Sequence, residues 1–112
     1  MMYTINIKED FPPADVAVAE ALHEIDVQKL VDTKVIKIIH GHGSHGKGGL
    51  IKQELHKALN EYKRNHKIKD YIKGENFTTS NRLYSYVVTE CPDIIVDTDL
   101  RVSNFGITIV LL

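Results

Sequence analysis

Short segments of alternating apolar and polar residues lie near both ends of the chain, and helical spacing dominates between them. Residues 3 to 7 (Tyr-Thr-Ile-Asn-Ile) alternate with a period of two, which predicts a half-buried strand that ends by Asp10. Pro12-Pro13 then opens a predicted helix, because a proline in the first turn sacrifices no helical hydrogen bond. This helix, with Val18, Leu22 and Ile25 at helical spacing, is predicted to end near Leu30 to Asp32.

A β-branched run from Lys34 to Ile39 predicts the second strand, and the order strand, helix, strand predicts a right-handed βαβ unit with parallel strands. A glycine-rich turn follows, from Gly41 to Gly49, and leads into a second helix. The apolar face of this helix is predicted to carry Ile51, Leu55, Leu59 and Tyr62. Its water-facing side is predicted to carry Lys52, Glu54, Lys57, Asn60, Glu61 and Arg64.

The remaining third of the chain has weaker patterns and one strong one. Residues 70 to 73 predict a third strand that stops at Gly74, and residues 81 to 88 predict a short helix. Pro92 and three aspartates, Asp93, Asp97 and Asp99, indicate a surface connection. Residues 106 to 112 predict a closing strand. With no internal repeat or linker, residues 1 to 112 are predicted to form a single α/β domain.

Composition fits that of a globular protein, since 43% of the 112 residues are hydrophobic and 26% are charged. The single cysteine, Cys91, excludes an intramolecular disulfide and a cysteine zinc cluster, which favours a reducing compartment. The first ten residues lack the basic and long apolar regions of a signal peptide. No segment approaches the roughly 18 apolar residues of a membrane span. The sequence therefore predicts a cytoplasmic protein with no membrane partner.

The net charge of −1 conceals an uneven distribution along the chain. Residues 1 to 33 carry two basic and seven acidic side chains, residues 34 to 73 carry ten and three, and residues 74 to 112 carry two and five. Five of the six histidines also lie in the middle block. A solvated helix face would explain scattered lysines, but a basic block beside a glycine loop favours a polyanionic partner.

The segment from His40 to Leu50 (HGHGSHGKGGL) contains five of the seven glycines of the chain. Glycine permits a positive φ and a close approach of the backbone to a ligand, and the N-terminus of a helix presents unpaired N–H groups. Together these features predict a phosphate site, although a glycine turn needed only for tight packing is the alternative. The predicted phosphate-binding residues of this loop are Gly41, Gly43, Ser44, His45, Gly46, Lys47 and Gly48.

Two other kinds of site share parts of this pattern. Gly41 to Lys47 matches the spacing GxxxxGK of a nucleotide-binding loop, but Gly48 stands where a serine or threonine would hold magnesium. His40, His42 and His45 could converge on a zinc ion, yet their spacing is not that of a known ligand frame and no cysteine or nearby carboxylate completes the set. The sequence thus predicts no intrinsic metal site, and it assigns no role to His23 and His56.

The chain resembles the Smr (small MutS-related) domain family. The resemblance rests on Val35 to Gly43 (VIKIIHGHG), which is similar to the strand and HGxG loop of that family, and on Gly49-Leu50 at the start of the next helix. It extends to Phe105 to Leu111 (FGITIVL), which resembles the closing strand of the family. The likeness covers nearly the whole chain.

This resemblance implies a two-layer sandwich of βαβαββ type, with two main helices on a four-stranded mixed sheet, similar to the C-terminal domain of translation initiation factor 3. It also implies binding of DNA or RNA, and in several members a DNA-nicking or RNA-cleaving endonuclease. Many Smr domains carry the motif LDLHG in their first strand. Here the Asp, His and Gly of that motif are replaced by Asn6, Lys8 and Glu9, as in a short bacterial subgroup that lacks the motif.

The leading hypothesis is a nucleic-acid-binding Smr-type domain, with cleavage left open. His40 is the candidate general acid or base, because an imidazole transfers protons near neutral pH, and His42 or His45 would position a water molecule or the leaving group. Arg64 and Lys67 would add phosphate contacts. The alternatives are a non-catalytic module that docks on DNA or RNA through residues 57 to 73, a small-molecule phosphate or nucleotide binder, and a protein-interaction domain. Neither a divalent metal requirement nor an oligomeric state follows from the sequence.

Overall fold

A computed structural model of the chain describes residues 2–43, 49–100 and 103–112. Four strands form one sheet: β1 (Met2–Asn6), β2 (Val35–Ile39), β3 (Asp70–Lys73) and β4 (Ile107–Leu111). The helices are α1 (Ala14–Leu30), α2 (Gly49–Arg64) and the shorter α3 (Tyr84–Glu90). Three 3-10 helices occupy Gly74–Asn76, Pro92–Val96 and Thr98–Leu100.

The sheet is mixed, with the strand order β1-β2-β4-β3. β1 and β2 are parallel, as the βαβ pattern predicts, and Asn6 lies opposite Ile39 in their register. β4 is antiparallel to both of its neighbours, β2 and β3. The prediction of an α/β domain with a four-stranded mixed sheet and two main helices is therefore confirmed.

Helices α1 and α2 cover one face of the sheet. Ala17, Ala21 and Ile25 of α1 lie one helical turn apart and are buried, together with Leu55 and Leu59 of α2. They pack against side chains that alternate along the strands and point to this face, namely Ile5, Ile36, Ile38 and Val110. This packing forms the first hydrophobic core.

The opposite face of the sheet is covered by the segment between β3 and β4, which was predicted to include a surface connection. Ile94 and Leu100 are buried in a second core with Ile72, Ile109 and Val87 of α3. The aspartates of this segment have a structural role, because the buried Lys37 Nζ lies 2.9 Å from Asp97 Oδ2 and 2.6 Å from Asp99 Oδ2. Ion pairing to a buried lysine thus draws these residues onto the sheet.

Two local predictions differ from the structure. The short helix expected over residues 81 to 88 begins at Tyr84, because the Asn81 side chain accepts the N–H of Leu83 and forms a turn before it. Lys52, expected to face water, is 6% exposed, because Glu75 approaches from the turn after β3 and forms an ion pair with it. No helix among the described residues is both long and apolar enough to cross a membrane.

Candidate functional site

The carboxyl edge of the sheet is defined here as Asn6 to Lys8, His40 to Gly43, and Asn104 to Gly106. Because β1 and β2 are parallel and in register, the residues that follow them emerge side by side. β4 is antiparallel to β2, so the residues that precede β4 reach the same edge. The N–H groups of His40 and Gly41 both donate to the carbonyl oxygen of Gly106, at 3.0 and 3.1 Å. These bonds fix the start of the glycine loop to the start of β4.

His40 is 2% exposed, and both nitrogens of its ring have partners. Nδ1 lies 3.1 Å from the carbonyl oxygen of Gly41, and Nε2 lies 2.9 Å from Oγ1 of Thr108. Burial lowers the pKa of His40 from its ordinary value of 6.5 to about 4. The imidazole is therefore neutral at neutral pH.

Thr108 places a single hydroxyl between two buried imidazoles. Its Oγ1 lies 2.9 Å from Nε2 of His40 and 2.8 Å from Nε2 of His56 in α2. Burial, and next to it the neighbouring His40, lowers the pKa of His56 to about 4. Both rings are consequently neutral and each carries one N–H.

The chemistry of each partner fixes the direction of the hydrogen bonds that connect Gly41, His40, Thr108 and His56. A carbonyl oxygen only accepts, so Nδ1 of His40 carries the proton and donates to Gly41. Nε2 of His40 is then an acceptor for the hydroxyl of Thr108. The Thr108 oxygen in turn accepts the N–H of His56 Nε2. The two histidines thus adopt opposite tautomers, assigned from the hydrogen-bond pattern.

This arrangement bears directly on the acid–base role predicted for His40. The lone pair on Nε2 is occupied by the Thr108 hydroxyl, and the proton on Nδ1 is donated to Gly41. A general base needs an accessible lone pair within reach of the proton that it removes. His40 instead connects the glycine loop to β4 and, through Thr108, to α2.

An ion pair lies next to the imidazoles. Lys52 Nζ is 2.7 Å from Glu75 Oε2 and 4.9 Å from the centroid of the Phe105 ring, and the side chains of Lys52 and Glu75 are 8% and 15% exposed. The Lys52 charge contributes to the lowered pKa of both histidines. The ion pair neutralises charge within the protein, but Glu75 Oε1 is buried and has no hydrogen-bond partner among the described residues.

The glycine loop begins and ends in left-handed backbone conformations. Gly41 has a φ of 84°, and a side chain there would meet Lys8 Cδ at 3.0 Å. Gly49 has a φ of 67°, and its Cβ position lies 3.0 Å from Cα of Gly43. Glycine is required at such positions, since other residues would be strained and crowded. Ser44, His45, Gly46, Lys47 and Gly48, all predicted to bind phosphate, lie outside the described residues.

A cleft of about 330 Å³ opens at the carboxyl edge. Its polar lining consists of Asn6, Lys8, Gly41, His42, Asp99 and Asn104. His42 is exposed, with its ring against Gly106, whereas His40 is buried below the surface. The structure therefore brings His42 and Gly41 together with Asn6 and Lys8, at one edge of the sheet.

Arg64 and Lys67 lie at the other end of the domain. Arg64 is the last residue of α2, whereas the glycine loop precedes its first residue. A helix of 16 residues separates them by about 24 Å along its axis. Arg64 and Lys67, predicted to add phosphate contacts, therefore do not lie on the same surface as His40.

The basic end is the surface formed by Lys29, Lys63, Arg64, His66, Lys67 and Lys69. Five of these residues, all except Arg64, line a cleft of about 540 Å³ together with Ile68 and Leu112. The cationic side chains are exposed. Among the residues described around this cleft, the lining includes no acidic side chain.

Sequence reasoning missed the residues that organise the carboxyl edge: His56, Thr108, Lys52 and Glu75. Thr108 had a detectable signal, because it is the single polar residue in the apolar run of β4 and its alternation directs it toward the helices. His56 follows Leu55 on the buried side of α2. Nothing in the local pattern indicates that Glu75, 23 residues from Lys52, pairs with it.

The described residues contain no group of three or more histidine, cysteine, aspartate or glutamate side chains arranged to hold a metal ion. His45, one of the three histidines considered for zinc, is outside that part of the chain. Comparison of this chain with family models, with curated proteins and with solved structures found no match.

Proposed function

We propose that this chain is a nucleic-acid-binding module that contacts phosphates through the basic end and does not itself cleave the nucleic acid. The observation that carries the proposal is the cleft lined by Lys29, Lys63, His66, Lys67 and Lys69 without an acidic neighbour in its lining. Clustered cations attract the phosphate backbone, which supplies most of the sequence-independent affinity for DNA or RNA.

The charge of this surface is partly neutralised by two aspartates, one of which, Asp26, accepts the hydroxyl of Tyr62 beside Lys67. Asp70 is paired with Lys63 at 3.1 Å, and it is shared with Arg82 at 3.0 Å. Lys67 lies over the Tyr62 ring and Lys69 is hydrogen-bonded to the Tyr86 hydroxyl, and neither contact cancels a positive charge. Among the described residues, Lys67 and Lys69 form no ion pair with a carboxylate, so their ammonium groups can interact with phosphate oxygens.

A binding role without cleavage agrees with the geometry of the carboxyl edge. His40 is buried, neutral and hydrogen-bonded through both ring nitrogens. Asn6 and Lys8 occupy the positions at which the Smr motif has an acid and an imidazole, and neither side chain replaces their proton transfer near neutral pH. The resemblance of VIKIIHGHG to the Smr family supports nucleic acid as the partner, and membership of that family is part of the proposal.

The test measures affinity for DNA and RNA oligonucleotides at several salt concentrations. We expect the logarithm of the association constant to fall linearly with the logarithm of salt concentration, with a slope close to 0.9 for each phosphate neutralised on a duplex. Lys67→Gln should weaken binding several-fold. The matched control is Lys57→Gln, which removes a lysine from the middle of α2, where Lys57 pairs with Glu54 and does not line the cleft of the basic end. Binding that is absent, or independent of salt, would contradict the proposal.

A second function is favoured by the cleft at the carboxyl edge, whose volume of about 330 Å³ suits a small ligand. Lys8, His42 and the amide of Asn6 could bind a mononucleotide or a small phosphate there. The Gly41 N–H is committed to Gly106, which removes one of the amides expected to hold the anion. A thermal-shift titration with mononucleotides and inorganic phosphate separates this function from polymer binding, because only the small-ligand function predicts stabilisation by both at sub-millimolar concentration.

A further inference from the structure

Three of the four lysines of the basic end, Lys63, Lys67 and Lys69, contact neighbouring side chains. Lys67 Nζ lies 4.9 Å from the centroid of the Tyr62 ring. Lys69 Nζ lies 5.5 Å from the centroid of the Tyr86 ring and donates a hydrogen bond of 3.1 Å to its hydroxyl. Lys63 is held by Asp70. Long lysine side chains are usually mobile, so this bracing gives the surface a more fixed spacing of charge than exposed lysines normally have.

The same contacts occupy the aromatic rings of the basic end. Tyr62 packs against the first hydrophobic core and the Lys67 ammonium lies over its ring, whereas Tyr86 packs against the second core and Lys69 lies beyond its hydroxyl, near the plane of the ring. The Tyr62 hydroxyl also donates to Asp26 at 3.2 Å. Proteins that bind single strands without sequence preference stack bases on open aromatic faces. Tyr62 therefore offers no such face, and Tyr86 offers at most the face that is not packed against the second core.

A third aromatic residue, Tyr3, lies on β1 and is 40% exposed. Its hydroxyl donates to the Glu24 carboxylate at 3.3 Å, and this negative charge disfavours an adjacent phosphate. The large apolar side chains exposed near the end of α1, Leu30 and Val31, are aliphatic and cannot stack as rings do. Within the described residues, the basic end is thus suited to phosphates and poorly suited to unstacked bases.

We propose that the nucleic acid bound at the basic end is a double helix, recognised through its phosphates. This inference rests on the proposed function and specifies its ligand. A duplex keeps its bases stacked inside and presents phosphates at regular spacing, which matches a braced set of cations without a stacking surface. A flexible single strand gains no base contacts here and loses conformational entropy when it is ordered on fixed charges.

The experiment compares ligands that have the same number of phosphates. The domain measures 35 × 30 × 23 Å, so a duplex of about 12 base pairs, roughly 40 Å long, spans the surface, and an unstructured strand of about 24 nucleotides matches its charge. Competition binding is measured with DNA and RNA forms of both ligands at one salt concentration. We expect the duplex to bind at least about ten-fold more tightly.

Two variants test whether the bracing causes the preference. Tyr86→Leu keeps the Lys69 charge but removes its support, and it should weaken duplex binding about three-fold while changing single-strand binding by less than about two-fold. Tyr86→Phe keeps the ring and loses only the hydrogen bond from Lys69, so its effect should be smaller. Thermal unfolding of each variant shows whether it is folded before binding is compared.

The possible results distinguish this inference from the function on which it rests. Equal or tighter binding of the single strand overturns the duplex assignment but leaves nucleic-acid binding intact. A large loss of single-strand affinity in Tyr62→Leu or Tyr86→Leu would reveal base stacking and also overturn it. If neither ligand binds at any salt concentration, the proposed function fails and the inference fails with it.

Discussion

The carboxyl edge and the basic end illustrate two different uses of polar residues in one small domain. At the carboxyl edge, His40, Thr108 and His56 are buried and bonded to one another. At the basic end, Lys67 and Lys69 are exposed, with aromatic rings as partners. Buried polar groups that satisfy one another stabilise a fold, whereas exposed charges that the protein leaves uncancelled are available to a ligand.

A conspicuous sequence motif can thus consist partly of residues that the fold itself uses. The HGHG segment draws attention because of its histidines and glycines, yet its first histidine is 2% exposed and its first glycine amide is bonded to Gly106. The lysines that follow α2, Lys67 and Lys69, do not belong to a recognisable sequence motif. If this comparison is correct, changes at the carboxyl edge should alter the free energy of unfolding, and changes at the basic end should alter binding.

The largest effect should come from pH. His40 and His56 have a pKa of about 4 in the folded protein and about 6.5 when unfolded, so between these values the unfolded chain binds more protons. The contribution of these imidazoles to the free energy of unfolding is therefore complete above about pH 6.5 and decreases as the pH drops toward 4. The loss should be on the order of 3 kcal/mol for each imidazole that the fold keeps neutral.

Urea unfolding between pH 7.5 and pH 5 measures the first part of this loss, about 2 kcal/mol for each imidazole, before most carboxylates titrate. His56→Gln supplies the control, because it removes one titrating ring while its side-chain amide can still donate to Thr108. The pH dependence of this variant should be about half that of the wild type. A free energy of unfolding that stays constant from pH 7 to pH 5 would show that the imidazoles are not held neutral.

Thr108→Val should have the next largest effect. It preserves the shape of a fully buried side chain but removes the hydroxyl, so Nε2 of His40 and the N–H of His56 both lose their partner. The expected loss is about 2 to 4 kcal/mol in the free energy of unfolding, measured by urea denaturation. Thr108→Ser, which retains the hydroxyl, should lose no more than about 1 kcal/mol. Equal stability of the valine and serine variants would contradict the hydrogen-bond chain.

The double variant Lys67→Gln, Lys69→Gln should show the reverse behaviour. Both side chains are exposed, so the free energy of unfolding should change by less than about 0.5 kcal/mol. Duplex affinity should fall on the order of ten-fold, and the salt slope should decrease by about 2. Unchanged affinity, measured by fluorescence anisotropy in parallel with Thr108→Val, would place binding elsewhere on the molecule.

The smallest effect is expected for Lys8→Gln, which changes the exposed cation of the carboxyl-edge cleft. Stability should shift by less than about 0.5 kcal/mol, and duplex affinity should stay within about two-fold of the wild type. Titration calorimetry with a mononucleotide should show weaker binding than the wild type if the cleft holds a phosphate. A substantial loss of duplex affinity would instead show that the nucleic acid reaches the carboxyl edge.

Much of the fold was accessible from the sequence because the strands and helices have clear periodicity. The third strand was predicted at residues 70 to 73 and is found at Asp70–Lys73. The first helix was predicted to end near Leu30 to Asp32 and ends at Leu30. In both cases the local pattern of apolar residues and the flanking turn residues agree with the tertiary structure.

The remaining features depend on contacts between distant segments, which no local pattern records. The burial of Lys37 needs Asp97 and Asp99, 60 and 62 residues further along the chain. The burial of His40 and His56 needs Thr108 from the last strand. The opposite tautomers of His40 and His56 can be assigned only when the positions of both rings and of the Thr108 hydroxyl are known together. The separation of Arg64 and Lys67 from His40 likewise depends on the direction of α2, which only the structure shows.

The position of β4 has a consequence for how the domain assembles. It is the last of the four strands in the chain, yet it lies between β2 and β3 and is buried along its whole length. While the polypeptide is synthesised, β2 and β3 have no common partner until β4 leaves the ribosome, and their exposed edges are then sites for aggregation. We infer that native structure forms late, after nearly all of these residues have emerged, and slowly relative to helical proteins of this length.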